Sequence, residues 1–323
     1  MYYRSDWPEV GLSGPLREGS QREPTGQGDD VAADWSDQSR VGGIDVRWTA
    51  SRDRFESTLY DIPVWHLRLE LDHVLSDALA DPVQSGLTAA LTSDVQRFLK
   101  SGAWGSAYVC STVVKSEPLY QSLVDSGFTE VEERRVYRTP IRHLVERPWP
   151  ALDGSLAITS LADFPQEQRA SVTAQIFKVS AEAFGGTGHS RHFTDPVLTA
   201  RRPGLDYIGA AMALNFERFS PAAFLVAVEH VSGCICGFSV VGRKPGLGAM
   251  MYTQLLSAAR PAFQGRDIYL RITRRLLETL PADATLLNVT HAGNLPMQMA
   301  YQRSGRVHLA DTTAMRIVHG ASS

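Results

Sequence analysis

The sequence predicts an α/β protein of two tandem domains. Each is expected to hold a mixed, mostly antiparallel central sheet flanked by helices, with the N-terminal copy degenerate. Two observations carry this. The second half reads as three apolar strands, a turn, a helix, a strand, a helix and a last strand, an α/β alternation. The stretch from Asn294 to Arg306 also has a defaced copy from Ser116 to Phe128, sharing proline, serine and glycine at equivalent places. The later copy keeps Asn294 and Tyr301 where the earlier has Ser116 and Leu123, which points to one working unit and one structural relic.

Residues 1–42, rich in Gly, Ser, Asp, Arg and Gln with little apolar periodicity, are expected to form a disordered tail. The first domain follows over residues 43–145. Val64 to Leu69 alternates like a strand, Ser93-Asp94 caps a short helix through Leu99, and Ala107 to Cys110 is a strand. Ser116 to Ser126 has helical spacing and stops at Gly127; Val131 to Tyr137 is a further strand. Residues 146–155, with Arg147-Pro148-Trp149-Pro150, form a stiff linker, since neither proline continues a helix.

The second domain is expected over residues 156–319. It begins with a strand at Leu156 to Ile158. Asp163-Phe164-Pro165 opens a helix through Phe184, and another helical region starts at Asp195-Pro196. Strands are expected at Ala223–Val228, Cys234–Val241 and Met250–Leu256, then a turn at Gln264–Asp267 and a helix from Ile268 to Leu280. Leu286–Val289, the helix bearing Tyr301, and a strand near Ala314–Val318 complete the chain.

The 323 residues are 43% hydrophobic and 21% charged with a net charge of −3, which disfavours a nucleic-acid surface or a polybasic membrane patch. No apolar run approaches the ~20 residues of a membrane span, and Met1 to Asp6 lead into no apolar run, so a secretory signal is not expected. Cys110, Cys234 and Cys236 are too few for a disulfide framework, and Cys234-x-Cys236 lacks further zinc ligands. They read as buried thiols of a cytoplasmic protein, with no metal, acting as a monomer or homodimer.

Chemistry is expected at two places in the second domain. The turn Gln264, Gly265, Arg266, Asp267, Ile268 and Tyr269 opens a helix whose unpaired N–H groups favour a phosphate, although the Asp267 carboxylate opposes one. Downstream, Asn294 caps the next helix and Tyr301 follows two turns along the same face. A plain cap and a core tyrosine would produce the same pattern.

With these residues in hand, the chain resembles the GNAT superfamily of N-acetyltransferases, and within it the TDP-fucosamine acetyltransferase type, which acts on a nucleotide-linked amino sugar. The resemblance rests on Thr290, Gly293, Asn294, Tyr301, Ser304 and Gly305, and more loosely on Phe55-Glu56-Ser57-Thr58-Leu59-Tyr60. It spans about residues 43 to 319. The chain departs from the family where Asp267 and Tyr269 replace two turn glycines or small residues. Arg306 stands where a phenylalanine is usual, and His291 where glutamine is.

The resemblance implies acetyl-CoA as co-substrate, held by residues 264–269 and Asn294, with Tyr301 as proton donor to the departing thiolate. Tyrosine, with a reference pKa of about 10, can do this without being ionised at neutral pH. The oxyanion donor would be a backbone N–H in Met250–Leu256. Glu229 and His291 are the two candidates for the base, and ordered water is a third. Arg191, His192 and Phe193 lie in the loop region that covers the acceptor in this fold, where Arg191 or Arg202 would pair with a nucleotide diphosphate. The expected reaction acetylates a small-molecule amine, a nucleotide-linked amino sugar or another biosynthetic amine. Acetylation of an antibiotic or toxic metabolite, or a non-catalytic acyl-CoA-binding module, fits the same residues.

Overall fold

The computed structural model describes residues 35–41, 44–71, 81–101, 106–115, 118–149, 154–185, 188–245 and 250–319. The first segment contains β1 (Trp35–Val41), β2 (Ile44–Asp53), α1 (Arg54–Tyr60), β3 (Val64–Leu71), α2 (Asp81–Lys100), β4 (Ala107–Val114), α3 (Pro118–Asp125), β5 (Thr129–Pro140) and α4 (Ile141–Val145). The second contains β6 (Leu156–Ser160), α5 (Gln166–Phe184), α6 (Arg191–Thr194), α7 (Pro196–Thr199), α8 (Gly204–Arg218), β7 (Phe224–Glu229), β8 (Ile235–Pro245), β9 (Met250–Ala259), α9 (Ile268–Leu277), β10 (Thr285–His291), α10 (Leu295–Ser304) and β11 (His308–His319).

One sheet of eleven strands runs through the molecule in the order β1-β2-β3-β4-β11-β5-β10-β9-β8-β7-β6. The fold class is the expected one, a mixed sheet with flanking helices. Each segment carries the same motif, an antiparallel pair followed through a helix by a parallel strand: β2-β3 then β4, and β8-β9 then β10. Both parallel contacts are short. β3 meets β4 over Val64–His66 and Tyr108–Cys110, β9 meets β10 over Met251–Thr253 and Thr285–Leu287, and beyond those rungs the strands part.

The last strands are exchanged. β5, from the first segment, pairs with β10 from Thr285↔Pro140 to His291↔Arg134, while β11 runs back along β4 from Thr312↔Val114 to His319↔Ala107. Each segment thereby covers the open edge that the other's parallel strand would leave to solvent. Met315 of β11 accordingly sits in the apolar core of the first segment, with Trp48, Leu67, Leu91, Phe98 and Leu123.

Several expected boundaries shift. Trp35–Val41, inside the expected tail, is a strand paired to β2 from Trp35↔Ala50 to Val41↔Ile44. Backbone pairing accounts for it where side-chain periodicity gave no signal; residues 1–34 lie outside the described residues. The short helix expected at Ser93–Leu99 is the end of the longer α2, and β2 and α1 were not foreseen. Asp53 starts α1 by accepting from the Glu56 N–H at 2.8 Å. Among the described residues no helix is long and apolar enough to cross a membrane.

Candidate active site

The turn before α9 is open to solvent at Gln264 and Gly265. Gly265 has φ +82° with no atom within 4 Å of where a Cβ would stand. Asp267 begins α9 in the left-handed region at φ 55°, and its side chain does not cap the helix. Instead its carboxylate is held by Arg303 of α10, with Nη2 3.0 Å from Oδ2. That pair neutralises the charge that told against an anion here. The α9 start is thus a helix N-terminus without a side-chain cap, beside an open glycine turn, an arrangement that suits an anion.

Arg266 turns the other way, donating to Glu229 at the end of β7 at 2.8 Å and to Ser155 at 2.8 Å. Hydrogen bonds from Arg266 and Ser232 hold the Glu229 carboxyl below its ordinary value. A carboxylate so paired is a poor proton acceptor, and this corrects the expectation of Glu229 as a base.

Asn294 caps α10 as expected, accepting from the Met297 N–H at 3.2 Å, and Gly305 ends that helix at φ 76°. His291, at the end of β10, lies 2.8 Å through Nδ1 from the buried carboxylate of Glu132 in β5. Burial would raise the Glu132 carboxyl, but Arg134 and His291 outweigh it and hold it well below the carboxylate range.

Tyr301 departs from its expected setting. The side chain is 3% exposed and packs edge-on against Tyr137 and Tyr269, with its hydroxyl 3.4 Å from the Val289 carbonyl. It lies beside the place where β9 and β10 part, in a buried polar group formed by Gln254 of β9, Asn288 of β10, Tyr269, Thr273 and Arg306. Gln254 Oε1 accepts from Tyr269, from Asn288 at 3.2 Å and from Arg306 at 3.2 Å. Arg306 is 6% exposed, and its Nε and Nη1 have no hydrogen-bond partner among the described residues. A register shift skips Leu255 of β9 at the same level, so a bulge frees backbone from the β8 ladder next to the opening.

The residues expected to meet an acceptor are corrected most. Arg191 donates to both oxygens of Glu56 in α1, at 2.6 Å each, and is 4% exposed. His192 is 4% exposed, bonds Tyr60 at 2.8 Å and stacks on Tyr207 with centroids 3.4 Å apart. The Phe193 ring fills the space that a Cβ on Gly188 or Gly204 would take, at 2.0 and 2.4 Å. Arg191 and His192 join the two segments, while Phe193 packs within the second. Sequence periodicity missed this because Glu56 and Tyr60 lie 135 and 132 residues away from them. His189 does reach the Asn294 loop, its ring occupying the place of a Cβ on Gly293.

A second polar cluster was not foreseen. Where β3 and β4 part, Cys110 Sγ lies 3.2 Å from His66 Nδ1, and His66 Nε2 lies 3.3 Å from Asp53 Oδ2.

No known family profile matches this sequence, and no curated protein does. Solved structures do. A GCN5-related N-acetyltransferase from Sphaerobacter thermophilus aligns with a TM-score of 0.50 at 14% identity, over 84% of this chain and 76% of that one. The fold is that of a GCN5-related N-acetyltransferase. A tandem GNAT protein from the clavulanic acid biosynthesis pathway aligns with a TM-score of 0.47 at 12% identity, over 89% and 85% of the two chains. A GCN5-related N-acetyltransferase from Kribbella flavida aligns at 0.43 and 11%, over 87% and 88%. In this GNAT-fold chain the parting of β9 from β10, the bulge at Leu255 and the start of α9 all follow from the course of β9.

Proposed function

We propose that the chain is an acyl-CoA-dependent N-acyltransferase that acetylates the amine of a small molecule. The observation that carries this is the opening between β9 and β10, which begins beside Tyr301 and the Leu255 bulge. The strand that forms one wall of it leads to an α9 start without a side-chain cap. A thioester supplies an activated carbonyl that an amine attacks directly once held close, so positioning accounts for much of the rate. In this reading the backbone N–H at the bulge holds the developing oxyanion, and Tyr301 supplies the proton to sulfur. The acyl end must enter past the Arg306–Gln254 contact for Tyr301 to act. His291 is the remaining side-chain base, since Glu229 is tied to Arg266.

A nucleotide-linked amino sugar is the acceptor that the family resemblance implies. Arg191 is committed to Glu56 and cannot meet its diphosphate. Arg202, half-exposed and bonded to the Leu59 carbonyl at 2.8 Å, is the remaining arginine for that role. The test is a panel of amines incubated with acetyl-CoA while free thiol is measured. Thiol release that depends on an amine supports the reading. Full binding of acetyl-CoA without release for any amine would leave an acyl-CoA-binding module.

A further inference from the structure

We propose that Cys110, His66 and Asp53 form a nucleophilic centre that takes an acyl group from a thioester onto the Cys110 sulfur. The proposal rests on the acyltransferase reading only for the donor being acyl-CoA.

The geometry is that of a nucleophile, a base and an orienting carboxylate. His66 presents Nδ1 to Cys110 Sγ at 3.2 Å and Nε2 to Asp53 Oδ2 at 3.3 Å. Asp53 is itself fixed, because its other oxygen caps α1 at the Glu56 N–H. His66 and Cys110 form the last paired rung before β3 and β4 separate. A metal ion is the rival use of these groups, since Asp53, Glu56 and His66 bring ligand atoms within 4.8 Å of one another. The thiol and the carboxylate, however, lie on opposite nitrogens of one ring, and Glu56 gives both oxygens to Arg191. That arrangement relays a proton better than it chelates.

Cys110 belongs to a buried apolar cluster with Tyr60, Ile62, Val64, Tyr108 and Leu198, yet its polar surroundings differ from those of the buried Cys236. Burial pushes the Cys236 thiol up to about 11. Burial acts on Cys110 too, but His66 and Arg191 outweigh it and bring the thiol below its ordinary value. Burial lowers His66, and contact with Cys110 and Asp53 outweighs that, raising it to about 10. The pair therefore favours thiolate and imidazolium, the reactive form of a cysteine. Among the described residues Arg191, over the Tyr108 ring at 5.6 Å, has no hydrogen-bond partner for Nη1, a donor of the kind an oxyanion requires. Cys110 is 3% exposed, while the His66 and Asp53 side chains are 17% and 28% exposed. A cavity of about 360 Å³, within the volume range of small-molecule sites, is lined by Arg52 and Arg54, the chain neighbours of Asp53, with Ser57 and Thr58.

In the step proposed, the Cys110 thiolate attacks the thioester carbonyl carbon. The Sγ–C bond forms, the bond from carbon to the carrier sulfur breaks, and the carrier thiolate leaves with the proton held by His66. An amine then attacks the Cys110 thioester. The N–C bond forms, the Sγ–C bond breaks with its electron pair returning to Sγ, and His66 takes the amine proton.

The test is to incubate the full chain separately with acetyl-CoA and with p-nitrophenyl acetate, quench in acid, and map acetyl groups by mass spectrometry, with acetyl-CoA binding followed by calorimetry. Acetylation of Cys110 by both donors is expected, absent in Cys110→Ser and slowed by roughly a hundredfold in His66→Asn at unchanged melting temperature. Cys110 unmodified by p-nitrophenyl acetate would overturn the centre, and calorimetry would then show separately whether the acyltransferase reading stands. Binding of acetyl-CoA without acetylation of Cys110 would also overturn it. Acetylation by p-nitrophenyl acetate alone, with no binding of acetyl-CoA, would keep the nucleophile and remove acyl-CoA as its donor. The mapping uses the native chain, so it decides the matter even if a variant fails to fold.

Discussion

Arg191 grips Glu56 through a single nitrogen, Nη2, 2.6 Å from each carboxylate oxygen, with both side chains nearly sealed from water. This contact ties α6 of the second segment to α1 of the first. Breaking a buried pair by removing one partner leaves an uncompensated charge, so Glu56→Gln or Arg191→Met alone is expected to cost about 3–5 kcal/mol. The double change Glu56→Gln with Arg191→Met should cost far less than the two single losses added. Denaturant midpoints of the four proteins measure this, and additive losses would show that the two residues are not coupled.

His192 carries a pH dependence of known sign. Burial, reinforced by Arg191, holds its folded pKa well below 6.5. The unfolded chain therefore binds a proton that the folded chain refuses, and the contribution to stability present above 6.5 is lost as the pH falls through the folded value. His192→Gln is expected to flatten stability against pH below 6.5 relative to the parent. Parallel curves would show that His192 does not titrate this way.

The exchange of β5 and β11 predicts that the second segment cannot stand alone. A chain starting at Ser155 lacks β5 and leaves β10 and β11 unpaired along that side. Exposed strand edges of that kind associate, so this fragment is expected in aggregates when expressed. A soluble monomer with full activity would contradict the prediction.

The sequence announced the parts of the fold whose signals are local. Gly305 and Asn294 mark the ends of α10 through φ and cap chemistry, and the apolar runs of β7, β8 and β9 are legible as strands. What it did not announce is set by distant partners. Trp35–Val41 is a strand because β2 lies beside it. Arg191 reads as a loop arginine free to meet phosphate until the fold brings Glu56 to it from 135 positions away. Cys110 and His66, 44 residues apart, become neighbours only through the parallel pairing of β3 and β4.

Tyr301→Phe separates a packing role from a chemical one. The ring contacts with Tyr137 and Tyr269 survive the change, and loss of the hydroxyl's bond to Val289 is expected to cost about 1 kcal/mol of stability. Turnover should fall by tens-fold or more, toward the ~10²–10⁴ range of general acid catalysis, with acetyl-CoA affinity unchanged. Unaltered turnover would take Tyr301 out of the chemistry and leave it a core aromatic.

Titrating the full chain with acetyl-CoA in a calorimeter tests the central claim most directly. Saturable heat with a rise in melting temperature is predicted, weakened in Gln264→Glu, where a new carboxylate faces the pyrophosphate at the α9 start. No heat and no thermal shift would contradict the account.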